Sequence, residues 1–310
     1  MTPPPVESGV LVVDKPAAAT SFDMVALLRR RLGVRRIGHA GTLDPAAVGV
    51  LPVLIGEATK LMPYLVDEDK EYVATIRFGI TTDTQDLTGR VRETAAVPLL
   101  TREALWAATR PFVGRIRQVP PMFSAVHHGG RRLYELAREG AEVAREPRDV
   151  VVHDIAVESV SDAEATLRIV CGRGTYVRTL AADLGAALGC GAVVAQLSRT
   201  RVGPFARDGA LPTATIAAMG PAELWAHVQL PEAALRDWDA VDLDARAAGA
   251  FANGQPVDVR TPAGRRDGLV RVHDETGRMF GVGELLGGGR LVKPARILHA
   301  DRPRTRVLPT

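Results

Sequence analysis

The stretch Gly38-His-Ala-Gly-Thr-Leu-Asp-Pro-Ala-Ala-Val-Gly-Val-Leu-Pro52 constrains the fold more than any other part of the chain, because no regular element can run through its middle. Pro45 disfavours helical geometry at the residue before it, and glycines at 38, 41 and 49 admit backbone angles and close approaches that a side chain forbids. The segment therefore reads as a loop, with one carboxylate, Asp44, near its centre. An Asp before Pro reads equally well as a turn residue whose oxygens cap backbone donors. The histidine five positions earlier, the three glycines and the threonine tilt the reading toward a site.

On the amino-terminal side of this loop, Gly9 to Pro16 reads as a short buried strand ending in a turn, after which Ser21 can cap a helix running through Arg31. Five guanidinium groups between Arg29 and Arg36 precede the loop, placed either to meet phosphates or to end a solvated helix. On the other side, Lys70 to Phe78 alternates as a strand with Tyr72, Ala74, Ile76 and Phe78 on one face. Asp83 and Asp86 lack the spacing of a calcium loop and read as turn formers.

Thr101 to Val113 has helical spacing of Leu105, Ala108 and Phe112, regular structure breaks at Gln118 to Ala125, and Arg131 to Glu139 again looks helical. Arg115, Arg117, His127, His128, Arg131 and Arg132 flank that break and predict a mobile clamp for RNA. Two strands follow, Val150 to Val160 and Ala165 to Val170, then a helix ending at Gly189. Arg178 falls near that helix's start, where the backbone dipole disfavours a cation, so a partner anion is expected, with Asp44 the candidate. Beyond about residue 210 the pattern loosens, with a junction near Leu230. The short apolar runs 268–272, 279–282 and 290–292 predict a small β-module.

Composition excludes more than it selects. With 46% hydrophobic and 24% charged residues the chain sits among ordinary soluble proteins, and no apolar run approaches the ~18 residues of a membrane span. The first residues carry no secretion pattern, so a cytoplasmic location is expected, with no membrane association. Cys171 and Cys190 are too few for a disulfide framework and have no metal-ligand spacing with the seven His, and no dinucleotide or phosphate-loop motif occurs. Neither a metal nor a cofactor is expected. A net charge of +3 decides little, and because only four of the 39 basic residues are Lys, the arginines are also explained by a GC-rich genome. Aromatics at 5% offer no single-strand stacking platform, so a nucleic acid, if one is the partner, is expected to be recognised folded, by shape and phosphate contacts.

The loop resembles the catalytic motif of the TruB family of tRNA pseudouridine synthases, departing from it at Ala40, where Thr is usual. Further pieces follow in the family's order: the Asp14-Lys15-Pro16 turn, the Lys70-x-Tyr72 strand with Gly79 to Gly89, the Val119-Pro-Pro segment through Glu135, Gly174-Thr-Tyr-x-Arg-x-Leu180, and Gln196 to Gly203. His127 stands where the family usually has Lys, so any phosphate contact there should be weaker and pH-dependent. The resemblance covers roughly residues 9 to 205 and, more weakly, the tail. It implies an α+β fold: a central mixed, mainly antiparallel sheet flanked by helices, plus a small β-rich PUA-like domain. The implied boundaries are 1–240 for the catalytic domain, with a clamp insertion at about 115–148, and 241–310 for the PUA-like domain and tail.

The resemblance also implies an activity, isomerisation of uridine 55 in the T-loop of tRNA to pseudouridine. In that reaction the N1–C1′ bond breaks and C5 joins C1′ without redox equivalents or a metal. Asp44 would be the nucleophile on a flipped-out base, attacking the base or C1′ or starting a glycal elimination. Arg178 would pair with it by two parallel hydrogen bonds. Tyr72 would stack on the uracil and help remove the C5 proton, and Tyr176 and Leu197 would line the base pocket. His39 would support the flipped-out state, and Lys15 would brace the loop, unless it is simply a solvated turn residue. The tRNA T-stem-loop is the implied partner, with no obligate protein partner. Two other readings stand beside this one: a guide-RNA-directed relative, disfavoured by the Val-Pro-Pro clamp, and a non-catalytic tRNA-folding chaperone, which would not need Asp44.

Overall fold

The computed structural model describes residues 8–259 and 266–298. The residues 1–7 read above for a secretion signal, and residues 299–310 of the tail, lie outside it. The chain opens with β1 (Gly9–Lys15), nearly all of it buried, as a strand covered on both faces requires. Helix α1 (Ser21–Leu32) follows, but its N-cap is Thr20 rather than Ser21. Thr20 has extended backbone angles and its hydroxyl accepts from the Asp23 amide, while Asp23 closes a capping box. Ser21, already helical and buried, is left to bond elsewhere.

Two strands flank the Asp44 loop, β2 (Ile37–His39) and β3 (Val48–Ile55). After the short helix α2 (Met62–Asp67) comes β4 (Lys70–Phe78), then the hairpin of β5 (Ile80–Thr82) and β6 (Val91–Thr94). Helix α3 (Arg102–Thr109), capped by Thr101, leads to β7 (Gly114–Gln118). The helix expected from Arg131 starts later. β8 (His127–His128) and β9 (Arg131–Arg132) pair across Gly129 and Gly130, so only α4 (Leu133–Arg138) is helical. Then come β10 (Arg148–Val160), β11 (Glu164–Cys171), α5 (Val177–Ala187) and β12 (Ala192–Val202).

The region past residue 210 is more ordered than its sequence pattern indicates. β13 (Phe205–Ala206) folds back on β12, β14 (Leu211–Pro212) adds parallel to β1, and α6 (Thr213–Ala218) and α7 (Pro221–Ala226) supply Ile216 and Leu224 to the core beside α1. These elements are too short for a periodic signature; tertiary packing stabilises them.

Among the described residues ten strands form one mixed, mainly antiparallel sheet in the order β14-β1-β3-β12-β4-β11-β10-β7, with β2 on β3 and β13 on β12. Within this sheet, among the described residues, β1–β14 and β3–β12 are the strand pairs that run in parallel. Five more strands form a second sheet: β15 (Ala240–Asp242), β16 (Val257–Asp258), β17 (Gly268–His273), β18 (Met279–Leu286) and β19 (Leu291–Ile297), with α8 (Ala245–Ala252) between the first two. The architecture is α+β with a β-rich carboxy-terminal part.

One apolar cluster lies between β4, β11 and β12 and the helices α3 and α5, centred on Leu105, Leu167, Ile169, Leu180 and Leu184. A second packs α1 on β1 and β3 through Leu11, Leu28, Leu51 and Val53. A third, on the opposite face of β1 and β3, joins Val10, Val12, Leu54 and Leu61 to Met279, Val282 and Leu298 of the carboxy-terminal part. Each fully buried Leu or Ile here contributes about 1.5–3 kcal/mol relative to exposure.

Candidate active site

Asp44 lies on the loop between β2 and β3, where a turn closes with the Ala47 amide donating to the Asp44 carbonyl at 3.1 Å. The loop is tied down from several sides. Ser21, freed from capping, accepts from the Leu43 amide at 2.9 Å, and the Ala18 amide donates to the Pro45 carbonyl at 2.9 Å. Lys15 is fully buried, and its ammonium donates to the carbonyls of Pro16 (2.9 Å), Ala19 (2.7 Å) and Pro45 (3.3 Å). It is a brace, not a solvated turn residue. Burial lowers its pKa to about 8, against an opposing pull from the Asp44 charge.

Two of the loop's glycines are required by its geometry. Gly41 has φ +87° and Gly49 has φ +107°, and a Cβ at Gly49 would stand 2.3 Å from the Arg199 carbonyl oxygen. Ala40, the departure from the family's Thr, is fully buried in the apolar cluster beneath β3, where a methyl group fits without needing a partner.

Arg178 reaches Asp44 from the start of α5, with Nε 2.9 Å from Oδ2. The expected pair of parallel hydrogen bonds is not formed. The other two guanidinium nitrogens donate to the carbonyls of Thr84 (2.9 Å) and Phe123 (2.8 Å), so one buried cation joins the acid loop, the turn after β5 and the Val-Pro-Pro segment. Its side chain is 6% exposed against 41% for Asp44, which leaves the carboxylate facing an opening while its partner is shielded. That opening is a cleft lined by Asp44, Arg178, Ala47, Leu87, Val194 and Leu197.

Leu197 thus stands on the cleft wall, whereas Tyr72, Tyr176, His39 and Lys15 are not among its lining residues. All four surround the acid or the buried Arg199. The Asp44 charge acts on both phenols, and burial raises the pKa of each. The Arg199 charge and hydrogen bond oppose that rise at Tyr72. His39 is lowered by burial and then by the Arg199 charge, which favours a neutral ring, and its buried Nδ1 has no hydrogen-bond partner.

Two residues that sequence reasoning missed hold these groups. Gln118, buried at the end of β7, uses both ends of its amide on the Tyr176 backbone, accepting from the amide at 3.0 Å and donating to the carbonyl at 3.3 Å. Arg199 on β12 donates through Nε to the Val50 carbonyl (2.9 Å) and through a terminal nitrogen to the Gly41 carbonyl (3.0 Å). The signals were a polar residue ending an edge strand and an Arg inside an apolar strand, the latter within the family-like stretch Gln196 to Gly203, from which only Leu197 was assigned a role.

The basic clusters divide. Of the five arginines before the loop, Arg36 pairs with Glu57 at 2.5 Å, Arg29 donates to the Ile37 carbonyl at 3.0 Å and Arg31 to the Met219 carbonyl, while Arg30 and Arg35 are exposed. Around the Val-Pro-Pro segment, Arg131 binds Glu139 through two nitrogens and Arg132 lies over the Tyr134 ring. Arg115 and Arg117 are exposed on the edge strand β7, and His127 and His128 on β8. Asp83 and Asp86 accept hydrogen bonds within their own turn, from the Arg90 amide and from Thr84 and Thr88. Among the described residues no three His, Cys, Asp or Glu side chains gather to hold a metal ion.

Residues 29–177 match the family model described as TruB family pseudouridylate synthase (N terminal domain). Residues 178–236 match that of the tRNA pseudouridylate synthase B C-terminal domain, and 240–298 that of Pseudouridine synthase II TruB, C-terminal. The tRNA pseudouridine synthase B of Stutzerimonas stutzeri (strain A1501) is 41% identical over 298 residues, spanning 95% of this chain and 96% of the relative. That of Saccharophagus degradans is 42% identical over 303 residues, spanning 94% and 96%. Among solved structures, an H/ACA RNP bound to a substrate RNA containing 2′-deoxyuridine superposes with a TM-score of 0.73 at 22% identity, over 95% of this chain and 86% of that one, a likeness of fold.

Proposed function

This chain belongs to the TruB family of pseudouridylate synthases, and we propose that it isomerises uridine 55 in the T-loop of tRNA to pseudouridine, with Asp44 as the nucleophile. The observation that carries the reading is the Arg178–Asp44 pair: a carboxylate open to a cleft, held 2.9 Å from a buried guanidinium. A charge-assisted hydrogen bond on one oxygen orients the acid and leaves the other oxygen for an extruded base.

Leu197, Val194 and Leu87 give the cleft an apolar wall for a uracil ring. Tyr72 is the group assigned to stacking and to the C5 proton, and Tyr176, whose backbone is held by Gln118, to lining the base pocket. Neutral His39, with an open Nδ1, supports the flipped-out nucleotide. The T-stem-loop is the partner, met without an obligate protein partner by the exposed arginines of β7 and histidines of β8. The working location is the cytoplasm, consistent with the finding that no helix among the described residues is long and apolar enough to cross a membrane. Residues 1–240 are the catalytic domain and 241–310 the PUA-like domain and tail.

Release of tritium from C5-labelled uridine in tRNA tests the reading. The wild-type protein releases it from position 55, and Asp44→Asn binds the same tRNA but releases none. Uridine 55 left unchanged by the wild-type protein, or Asp44→Ala behaving as wild type, refutes the assignment.

A further inference from the structure

We propose that Arg199 is a positioning residue for this reaction, fixing the Asp44 loop and the Tyr72 ring relative to one another from beneath the site. The proposal rests on the roles of Asp44 and Tyr72 given above. Arg199 is 1% exposed and is among the largest fully buried side chains of the protein. A guanidinium in that position is costly unless its donors are satisfied, and its partners here are chosen in a particular way. The carbonyls of Gly41, in the loop, and Val50, in β3, lie on either side of Asp44 in sequence, and the charge of Arg199 acts on the Tyr72 phenol across the β4–β12 pairing. The remaining terminal nitrogen sits under Gly41, where a Cβ would stand 3.4 Å from it.

The backbone of Arg199 occupies the same junction. Its Cα is opposite Gly49 of β3 on one side and opposite Tyr72 of β4 on the other. The missing side chain at Gly49 lets the Arg199 carbonyl come close. β12 departs from regular register between Val194 and Gln196 and again between Arg199 and Arg201, so the irregularities bracket the segment from Leu197 to Arg199. Irregularities of this kind re-aim side chains next to active sites. One strand thereby presents Leu197 to the cleft and Arg199 to the loop.

Fold stability alone does not require this arrangement. Replacing a buried charge by a packed apolar residue is often neutral or stabilising, and here the Arg199 charge also acts unfavourably on protonated Lys15 and His39. A cation retained beside another buried cation is explained by what its fork holds, since only a planar guanidinium donates to the carbonyls of Gly41 and Val50 at once while standing opposite Tyr72 in the sheet.

The test uses single-turnover tritium release and tRNA binding on Arg199→Gln, Arg199→Lys, Tyr72→Phe and the double variant Arg199→Gln/Tyr72→Phe. Arg199→Gln slows isomerisation about 100-fold by misplacing reacting groups, with tRNA affinity within about twofold of wild type. Arg199→Lys keeps the charge without the fork and is slower by about tenfold. In the Tyr72→Phe background the further loss from Arg199→Gln shrinks below about tenfold, because the two residues act through one contact. Rates within about threefold of wild type in both Arg199 variants, or losses that multiply fully in the double variant, overturn the proposal. A merely structural role would lower tRNA affinity along with rate. If Arg199→Gln does not fold, Arg199→Lys decides, and a wild-type rate for it overturns the proposal. Absence of tritium release by the wild-type protein would instead refute the reading of Asp44.

Discussion

The basic residues beneath the Asp44 loop and those along β7 and the segment after it share arginine as their main component and do opposite things. Lys15, Arg178 and Arg199 are buried and spend nearly all their donors on backbone carbonyls of Pro45, Thr84, Phe123, Gly41 and Val50. Arg115, Arg117, His127 and His128 are exposed, and no ion pair or hydrogen bond among the described residues engages the side chains of Arg115 and Arg117. Irregular backbone around an exposed acid leaves carbonyls that no strand satisfies, and buried cations satisfy them while adding positive potential under the carboxylate. The exposed set is free to neutralise phosphates. Basic residues in this protein are thus of two kinds, and burial separates them.

Substitutions should separate them too. The largest effect is expected from Arg178→Met, which removes the donor on Asp44 and strands two carbonyls: single-turnover isomerisation should fall by about 100- to 1,000-fold with tRNA still bound. Lys15→Met removes the ammonium from the carbonyls of Pro16, Ala19 and Pro45, of which only Pro45 keeps the Ala18 amide as a donor, and should cost about 1–3 kcal/mol of stability, read from the urea midpoint at pH 7. A wild-type midpoint would mean that the loop does not depend on its brace. Arg115→Gln with Arg117→Gln should leave the rate at saturating tRNA unchanged and flatten the dependence of log affinity on log salt by about 2, less on single-stranded segments. An unchanged salt slope would take β7 out of the RNA surface.

The smallest effect concerns His39, whose folded pKa lies below its ordinary 6.5. Below pH 6.5 the unfolded chain binds this proton and the folded one resists it, so the stability His39 contributes is present above 6.5 and lost as pH falls through the folded value. Urea midpoints at pH 7.5 and 5.5 should therefore drop less for His39→Gln than for wild type. Equal drops would show that the ring titrates normally.

The sequence made some of this geometry legible and hid the rest. The Asp44–Arg178 pair was visible because a helix start holding a cation calls for an anion, and the loop offered one. The strands β4, β10 and β11 were visible because their alternation is regular over eight residues or more. Arg199 was hidden because register irregularities in β12 break period-2 alternation near it, so its position in the strand does not tell which way it faces. The single bond between Arg178 and Asp44, where two were expected, depends on the carbonyls of Thr84 and Phe123, supplied by segments remote in sequence. The short helices α6 and α7 left no periodic trace, and Gln118 is one polar residue at a strand end whose task is set by Tyr176, far along the chain.

The cluster beneath β3 carries a last consequence. Met279, Val282 and Leu298 enter the same apolar packing as Ala40 and Leu54, and the Lys60 ammonium crosses to the Ile297 carbonyl at 2.8 Å. A protein shortened before the second sheet would wet the underside of the very hairpin that presents the acid. Removing that terminal portion should therefore loosen catalysis on minimal stem-loop substrates too small to touch it, a penalty that an independently appended binding module would never impose.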